Sequence, residues 1–379
     1  MSRFYFSLFL ALFLFTLAAA QNARKGYFIT KLGRDTTAVE EYASTAHELT
    51  GTAVSRSPRT TVREYKVTFD AAGNIIHLHL LTRLENGAMV NEREYAYYDD
   101  SVVVSIRQDT THSRSVIAVQ GRPFPLFIDL FGPWDAILRK ALSTGGNKFS
   151  LAARRPMHYA IEGHAPGMLE LNNTDGDFGP IHATVGEGGE LEKFDMTATT
   201  DKIVAERTGA VDVMALAKEF TERERHGQQL GVLSPRDTVR GEIHGAHIVV
   251  DYGRPAVRGR TIFGQVVPWD SVWRTGANAA TQLTTDKRLR FGDVAVAPGT
   301  YTIFTIPGPD RWLLIINSQH GQWGTEYDKT KDLGRTAMKV RSTNEPAERF
   351  TISLTEEGDG GVLHLMWDRT EAFVPFRAE

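Results

Sequence analysis

The chain has 379 residues, which is too many for one ordinary hydrophobic core and favours two domains. Its formal charge of -3 excludes the strongly basic surface that nucleic-acid or anionic-membrane binding needs. The chain has no cysteine, which excludes disulfides, thiolate metal sites and cysteine nucleophiles. We therefore expect no nucleic-acid partner and a fold held by ordinary cores.

The first 20 residues have the pattern of a secretory signal peptide. Arg3 supplies the positive start, residues 4–17 form an apolar run, and residues 18–20 supply small side chains for cleavage. The apolar run is shorter than the ~20 residues of a membrane-spanning helix. These features predict export to the periplasm or the outside, a mature chain that starts near Gln21, and no stable membrane insertion after cleavage.

Residues 25–205 are predicted to form an antiparallel β-rich domain with one helix. Alternating apolar residues indicate strands, and the turn at residues 70–74 makes the first two of them a hairpin. The predicted strands are 61–69, 75–81, 94–98, 102–107, 115–119, 168–171 and 181–185. The helix is predicted over residues 126–142, with Pro133 bending or restarting it. This pattern is typical of a meander covered by a helix.

A second helix is predicted over residues 211–228, within a connector that runs from 206 to 231. The same helix could instead pack on the first domain. From residue 232 to 379 the pattern is all strand and turn, with about seven strands. This pattern predicts a β-sandwich of jelly-roll or immunoglobulin-like topology, so the whole chain is expected to be mainly β.

The predicted second domain resembles a known bacterial family. The resemblance rests on sequence blocks spread through residues 232–379, namely SPR at 234–236, DYGRPAVRGRTIFG at 251–264, VPWDSVWRTGANAAT at 267–281, APGTYTIFTIP at 297–307, the strand at 312–317, QWG at 322–324, YD at 327–328 and LMWDRT at 365–370. Together they resemble the DUF2911 family. The resemblance implies an exported β-rich domain of unknown function, with no established substrate or catalytic residue.

The segment 251–281 is the predicted functional site. Its glycines and prolines favour an irregular loop, and its guanidinium groups and tryptophans suit a saccharide or an anionic small molecule. The candidate ligand-binding residues are Asp251, Arg254, Arg258, Arg260, Trp269, Trp273, Arg274, Asn278, Trp323 and Tyr327. In this hypothesis Arg254, Arg258 and Arg274 hold an anion, Trp269 or Trp323 offers a stacking face, and Asn278 and Tyr327 orient the ligand.

Two other functions are compatible with the same residues. An envelope hydrolase could use Asp251, Asp328 or Asp368 as acid and base, although the chain has no recognisable catalytic motif. A structural or protein-interaction scaffold would instead pair the arginines with aspartates and bury Trp273 and Trp367 in a core. A protein partner therefore stays open.

Two pairs of histidines are candidates for a metal centre. His77 and His79 leave the same face of a predicted strand, and His244 and His247 flank a turn. Neither pair has a third ligand close to it in the sequence. Exposed histidines on a wet surface are the simpler interpretation, so the sequence predicts no metal and no cofactor.

Overall fold

A computed structural model describes residues 23–125, 127, 129–152, 156–176 and 179–379. The chain divides into two compact units, with the boundary between Gly231 and Val232. The predicted signal peptide lies outside the described residues. Among those residues no helix is long and apolar enough to cross a membrane.

Fifteen strands of the first unit form one sheet. Their bounds are β1 (Arg24–Leu32), β2 (Asp35–Ser44), β3 (Glu48–Ser55), β4 (Thr61–Phe69), β5 (Ile75–Arg83), β6 (Met89–Tyr97), β7 (Ser101–Gln108), β8 (Thr111–Ala118), β9 (Phe124–Pro125), β10 (Lys148–Ala152), β11 (Pro156–Ala165), β12 (Met168–Asn173), β13 (Ile181–Val185), β14 (Leu191–Asp195) and β15 (Val204–Arg207). Each strand from β1 to β8 pairs with the next strand in the chain, and so does each strand from β9 to β15. The two series join where β1 pairs with β15, so β8 and β9 lie at the two ends of the sheet. The pairing is antiparallel except between β9 and β10, which confirms the predicted meander.

Helix α1 (Gly132–Ser143) packs on the face of this sheet that carries Tyr42 and Tyr65, which we call the inner face. The predicted start at residue 126 is wrong, because the described residues before Gly132 are not helical. Pro133 lies in the first turn, where its missing N–H leaves no helical hydrogen bond unmade. Pro133 therefore begins the helix and does not bend it. The ring of Trp134 packs against Phe194, with ring centroids 4.5 Å apart.

Helix α2 (Val213–Arg225) begins at its cap Asp212, whose carboxylate accepts a 2.8 Å hydrogen bond from the Ala215 amide. Its apolar face covers Val39, Val54 and Val62 on the outer face of β2, β3 and β4. These valines lie in one row across the three strands. The helix therefore packs on the first unit, which was the alternative left open for the connector segment.

The inner face of the same strands carries a row that alternates glycine and tyrosine. Gly26, Tyr42, Gly51 and Tyr65 are cross-strand partners in that order. A Cβ on Gly51 would lie 2.3 Å from the Tyr65 ring, so the ring occupies the space that a side chain would need. The tyrosine rings therefore lie over the glycines of the neighbouring strands, and the start of α1 approaches the sheet closely.

Glu40 is a buried carboxylate at the start of α1. Its oxygens accept hydrogen bonds from the Tyr65 hydroxyl at 2.5 Å, from the Phe131 amide at 2.5 Å and from the Gly132 amide at 3.1 Å. A negative charge is favourable at a helix N-terminus. Burial nevertheless dominates over these donors and raises the pKa of Glu40 to about 7.

The second unit contains nine strands in one antiparallel order. Their bounds are β16 (Arg236–Ile243), β17 (Ala246–Gly253), β18 (Thr281–Thr285), β19 (Leu289–Phe291), β20 (Val294–Val296), β21 (Gly299–Ile306), β22 (Trp312–Asn317), β23 (Asp332–Glu357) and β24 (Gly360–Ala378). Along the sheet they run β16-β17-β18-β21-β22-β23-β24-β19-β20.

The second unit has a sandwich-like core, as predicted. The start of the long strand β23 pairs with β22, and its remainder pairs with β24. The pairing of β23 with β24 shifts register between Ser342 and Thr351. Tyr252, Trp312 and Trp367 are fully buried in the core that these strands enclose. The second unit has nine strands, where about seven were predicted.

The buried Glu40 predicts an unusual pH dependence of stability. Its pKa is about 7 in the folded protein, against 4.5 for an ordinary carboxyl, so the folded state holds a proton that the unfolded state releases. The stabilisation that goes with this proton is complete below pH 4.5 and is lost as the pH rises through 7. Relative to Glu40→Gln, the wild type should lose about 3 kcal/mol of unfolding free energy between pH 4.5 and pH 8.

Urea unfolding of both proteins across this pH range measures the difference. Glu48→Gln is the control, because Glu48 forms an exposed pair with Lys66 on neighbouring strands. A wild-type minus Glu40→Gln difference that does not change with pH would show that Glu40 keeps an ordinary pKa.

Candidate functional site

The predicted site segment is a long irregular loop between β17 and β18, and backbone hydrogen bonds fix it at three places. Near its start, the Val257 amide donates to Glu348 at 2.7 Å and the Phe350 amide donates to Pro255 at 2.9 Å. In its middle, Trp273 and Thr305 exchange two hydrogen bonds of 2.7 and 2.9 Å. Near its end, Ala279 forms a bridge with Trp323. The loop is therefore part of the packed sandwich.

The backbone of this loop is strained at several positions. Arg258, Asp270, Thr275 and Asn278 all have positive φ angles, between 50° and 63°. Eight non-glycine residues in the described part of the chain have positive φ, so half of them lie in this one segment. The conformation is most unfavourable at the β-branched Thr275, which is held by a hydrogen bond to the Thr305 hydroxyl at 3.1 Å. Such strain concentrates at functional sites, because only surrounding contacts can maintain it.

The arginines in the first part of the loop bind the protein itself. Arg254 donates to the Asp237 carboxylate at 2.9 Å, to the Phe350 carbonyl at 3.1 Å and to the Thr351 hydroxyl at 3.0 Å. Arg260 donates to two carbonyls of its own turn, those of Ala256 and Val257. These contacts hold the loop against β16 and β23.

Arg258 and Asp251 are also engaged within the unit. The Arg258 side chain is buried, and its amide donates to the Glu348 carboxylate at 3.0 Å. The Asp251 carboxylate accepts from Arg236 and, at 3.1 Å, from the Thr238 hydroxyl. Arg236 was part of the SPR block but was not among the predicted site residues. It also donates to the carbonyls of Ala279 and Ala280, both at 3.1 Å.

The tryptophans divide between core and surface. Trp273 is partly buried and stacks on Trp367 with ring centroids 5.8 Å apart, and its indole N–H donates to the Gly276 carbonyl. Trp269 is 37% exposed and stacks on Phe263 at 6.0 Å. Trp323 is 49% exposed, which makes it the most exposed tryptophan in the described residues. Trp323 therefore offers the larger free aromatic face.

Trp323 lies where two loops meet, and we call this region the Trp323 surface, formed by Arg274, Asn278, Trp323 and Gly324. The Gly324 amide donates to the Asn278 carbonyl at 3.0 Å. A Cβ on Gly324 would lie 2.2 Å from Cδ of Arg274, so the Arg274 side chain lies directly over this glycine. Asn278 is exposed, and its amide group reaches the Ser234 carbonyl only at 3.5 Å.

Two glutamines that the sequence analysis did not select form hydrogen bonds beside the Trp323 surface. Gln322 is buried and donates to the Thr302 hydroxyl at 3.1 Å. Gln282 accepts from the Gly321 amide at 3.0 Å and donates to the same threonine at 3.0 Å. The QWG block was the available signal for Gln322, whereas Gln282 lies on a strand whose neighbours the sequence does not reveal.

Tyr327 contacts a different cluster. Its ring packs on Phe304 with centroids 4.9 Å apart. Its hydroxyl donates to Asp332 at 2.7 Å and accepts from Arg335 at 2.9 Å. Burial and the neighbouring Asp332 raise the pKa of Tyr327 to about 12, so this hydroxyl stays protonated and acts as a donor within the fold.

Two of the carboxylates considered for acid–base chemistry, Asp328 and Asp251, have local structural contacts. Asp328 caps a short 3-10 turn and accepts from the Thr330 amide and hydroxyl. Asp251 is held by Arg236, and Asp368 has a positive φ where β24 pairs with Ala347. Two cavities found in the described residues, of about 240 Å³ beside α1 and about 510 Å³ beside β19 and β24, lie away from these groups.

The histidine pairs have carboxylate partners across the strands. His77 contacts Glu94 at 2.9 Å and His79 contacts Glu92 at 2.8 Å, which confirms that both imidazoles leave one face. Arg107 also binds Glu92, at 2.6 Å. In the second unit His247 contacts Asp286 at 2.7 Å, whereas His244 faces Glu356 at 4.0 Å, so these two histidines have different partners.

Comparison with known proteins confirms the predicted family resemblance. Residues 234–376 match the family model DUF2911, described as a protein of unknown function. No curated protein matches the chain. A DUF1089 family protein from Pseudomonas aeruginosa is similar at 10% identity and a TM-score of 0.31, over 41% of this chain and 88% of its own. A beta-barrel-like DUF1849 protein from Brucella abortus is similar at 12% identity and a TM-score of 0.33, over 49% and 94%.

The contacts of Arg254 predict a stabilising role that substitution will expose. Arg254→Ala removes three side-chain hydrogen bonds, one of them to a carboxylate, and leaves Asp237 without this cation. We expect the unfolding free energy of the second unit to fall by about 2–3 kcal/mol, measured by urea denaturation.

Arg240→Ala is the matched control, because Arg240 lies exposed on the same strand as Asp237. It should change stability by no more than about 0.5 kcal/mol. Equal effects of the two substitutions would show that the contacts of Arg254 do not hold the loop.

Proposed function

We propose that this protein is exported and binds a saccharide through the Trp323 surface. The proposal rests chiefly on one observation: a half-exposed indole lies beside an exposed asparagine amide and an arginine side chain, on two loops joined by backbone hydrogen bonds. Saccharide sites combine an aromatic face with a few placed polar groups.

Each group of the Trp323 surface has a chemical use toward a sugar. An indole face is apolar and matches the C–H face of a pyranose ring, so stacking excludes water from both. The Asn278 amide offers both a donor and an acceptor to hydroxyls. The Arg274 guanidinium carries only donors and a positive charge, which suits a hydroxyl or a sugar carboxylate.

The engaged arginines favour a neutral or singly acidic sugar over a highly charged anion. Arg254 and Arg260 donate to protein carbonyls and to Asp237, and the Arg258 side chain is buried. Removing them from these partners to hold a phosphate would break the contacts that fix the loop. We therefore assign these three arginines to the structure of the loop.

Rigid loops support this function energetically. A surface that keeps its shape before binding loses little conformational freedom when the ligand arrives. The bridge between Ala279 and Trp323 and the strained Asn278 backbone are features of a preformed surface. The signal-peptide pattern agrees with a role outside the cytoplasm.

A variant series tests the proposed function. We expect a saccharide panel, screened by thermal shift and followed by calorimetric titration, to give a ligand whose affinity falls at least tenfold in Trp323→Ala. Asn278→Gly should also weaken binding, because glycine keeps the positive φ of this position while removing the amide.

Trp269→Ala is the matched control, since Trp269 is also partly exposed in the same loop but stacks on Phe263. Its affinity should stay close to that of the wild type. Binding that survives Trp323→Ala, or that is lost only in Trp269→Ala, would place the ligand elsewhere and contradict the proposal.

A further inference from the structure

A cluster of imidazoles and carboxylates lies on the first unit, in a different part of the chain from the Trp323 surface. Glu162, Glu170 and His182 are cross-strand neighbours in one row over β11, β12 and β13. The pairing of β11 with β12 shifts register between Gly163 and Ala165, which makes His164 the extra residue of a bulge. Bulges redirect a side chain, and here the His164 imidazole reaches the carboxylate of Glu170.

Glu170 is the centre of this cluster. Its Oε2 atom lies 3.2 Å from Nε2 of His164 and 3.3 Å from Nε2 of His182. Its other oxygen accepts a hydrogen bond from Nδ2 of Asn172 at 3.0 Å. This hydrogen bond orients the carboxylate, as outer contacts do for metal ligands. One ligand atom each from Glu162, His164 and Glu170 lie within 4.8 Å of one another.

These spacings are longer than the closest histidine–carboxylate contacts in the described part of the first unit. His77, His79 and His158 contact their carboxylates at 2.8–2.9 Å, which is the range of a charge-assisted hydrogen bond. Two ligand atoms bound to one tetrahedral Zn²⁺ at ~2.0–2.1 Å are roughly 3.3 Å apart. The separations of 3.2 and 3.3 Å at Glu170 therefore match a pair of metal ligands.

The second histidine–glutamate cluster, at His79, Glu92 and Glu94, is a poorer metal site. Arg107 binds Glu92 at 2.6 Å and His77 binds Glu94 at 2.9 Å. A cation there would have to displace a guanidinium. On β14, the strand next to His182, Lys193 is engaged by Asp195 at 3.3 Å.

We propose that Glu162, His164 and Glu170 form a binding site for a first-row divalent metal ion, with His182 beside Glu170 and with Zn²⁺ as the best match. Imidazole nitrogen with carboxylate oxygen suits Zn²⁺, whereas Mg²⁺ and Ca²⁺ prefer sets made of oxygen alone. Both histidines are half-exposed, at 53% and 54%, so the metal enters directly from solvent. This site does not depend on the saccharide proposal.

Calorimetric titration of the purified protein with ZnCl₂, without a histidine tag and after removal of metal by EDTA, tests the site. We expect one equivalent of Zn²⁺ to bind saturably. His164→Ala and Glu170→Gln should each raise the Kd at least tenfold, and His182→Ala should weaken binding as well. All three positions are on an open sheet face, and circular dichroism checks that each variant folds.

His158→Ala is the matched control, because His158 lies on the same strand β11 and forms its own pair with Asp175. It should bind Zn²⁺ as the wild type does. Absence of saturable binding would overturn the proposal. Binding that persists in His164→Ala and Glu170→Gln but disappears in His77→Ala would also overturn it, and would place the metal at the cluster on β5 and β6.

Discussion

The second unit depends on the attachment of one long loop to strand β23. The backbone pairing around Pro255 and Phe350 gives the loop its position, and the Arg254 guanidinium reinforces it with three further hydrogen bonds. With this start fixed, the middle of the loop reaches Thr305 and its end reaches Trp323. A surface on the loop can then keep its shape although almost none of the segment is regular strand. The strained residues persist because these contacts leave the backbone no alternative.

The two candidate sites obtain rigidity in different ways. The Trp323 surface is made from loops, so its geometry depends on individual hydrogen bonds such as that from Gly324 to Asn278. The cluster around Glu170 is carried by three adjacent strands, and the pleat sets the spacing of its side chains. Substituting one supporting residue should therefore disturb the first site more than the second.

Local patterns predicted seven of the fifteen strands of the first unit, because alternation reports which residues face a core. β4 and β13 have the predicted bounds, and the mainly β architecture with its early helix is confirmed. Partners of side chains were harder to predict, because they come from strands far away in sequence. The arginines of the loop were predicted to bind a ligand, because the sequence does not reveal that Asp237 and the carbonyl of Phe350 lie beside Arg254. The sequence does not indicate the cluster around Glu170, because its histidines come from two other strands.

The middle parts of β2, β3 and β4 are covered on both faces, since tyrosines pack under α1 on one side and valines under α2 on the other. During synthesis the valine row is complete long before the residues of α2 leave the ribosome. Until then an apolar stripe stays open to other chains, and such stripes promote association. A fragment that ends before α2 should therefore expose this valine row and aggregate.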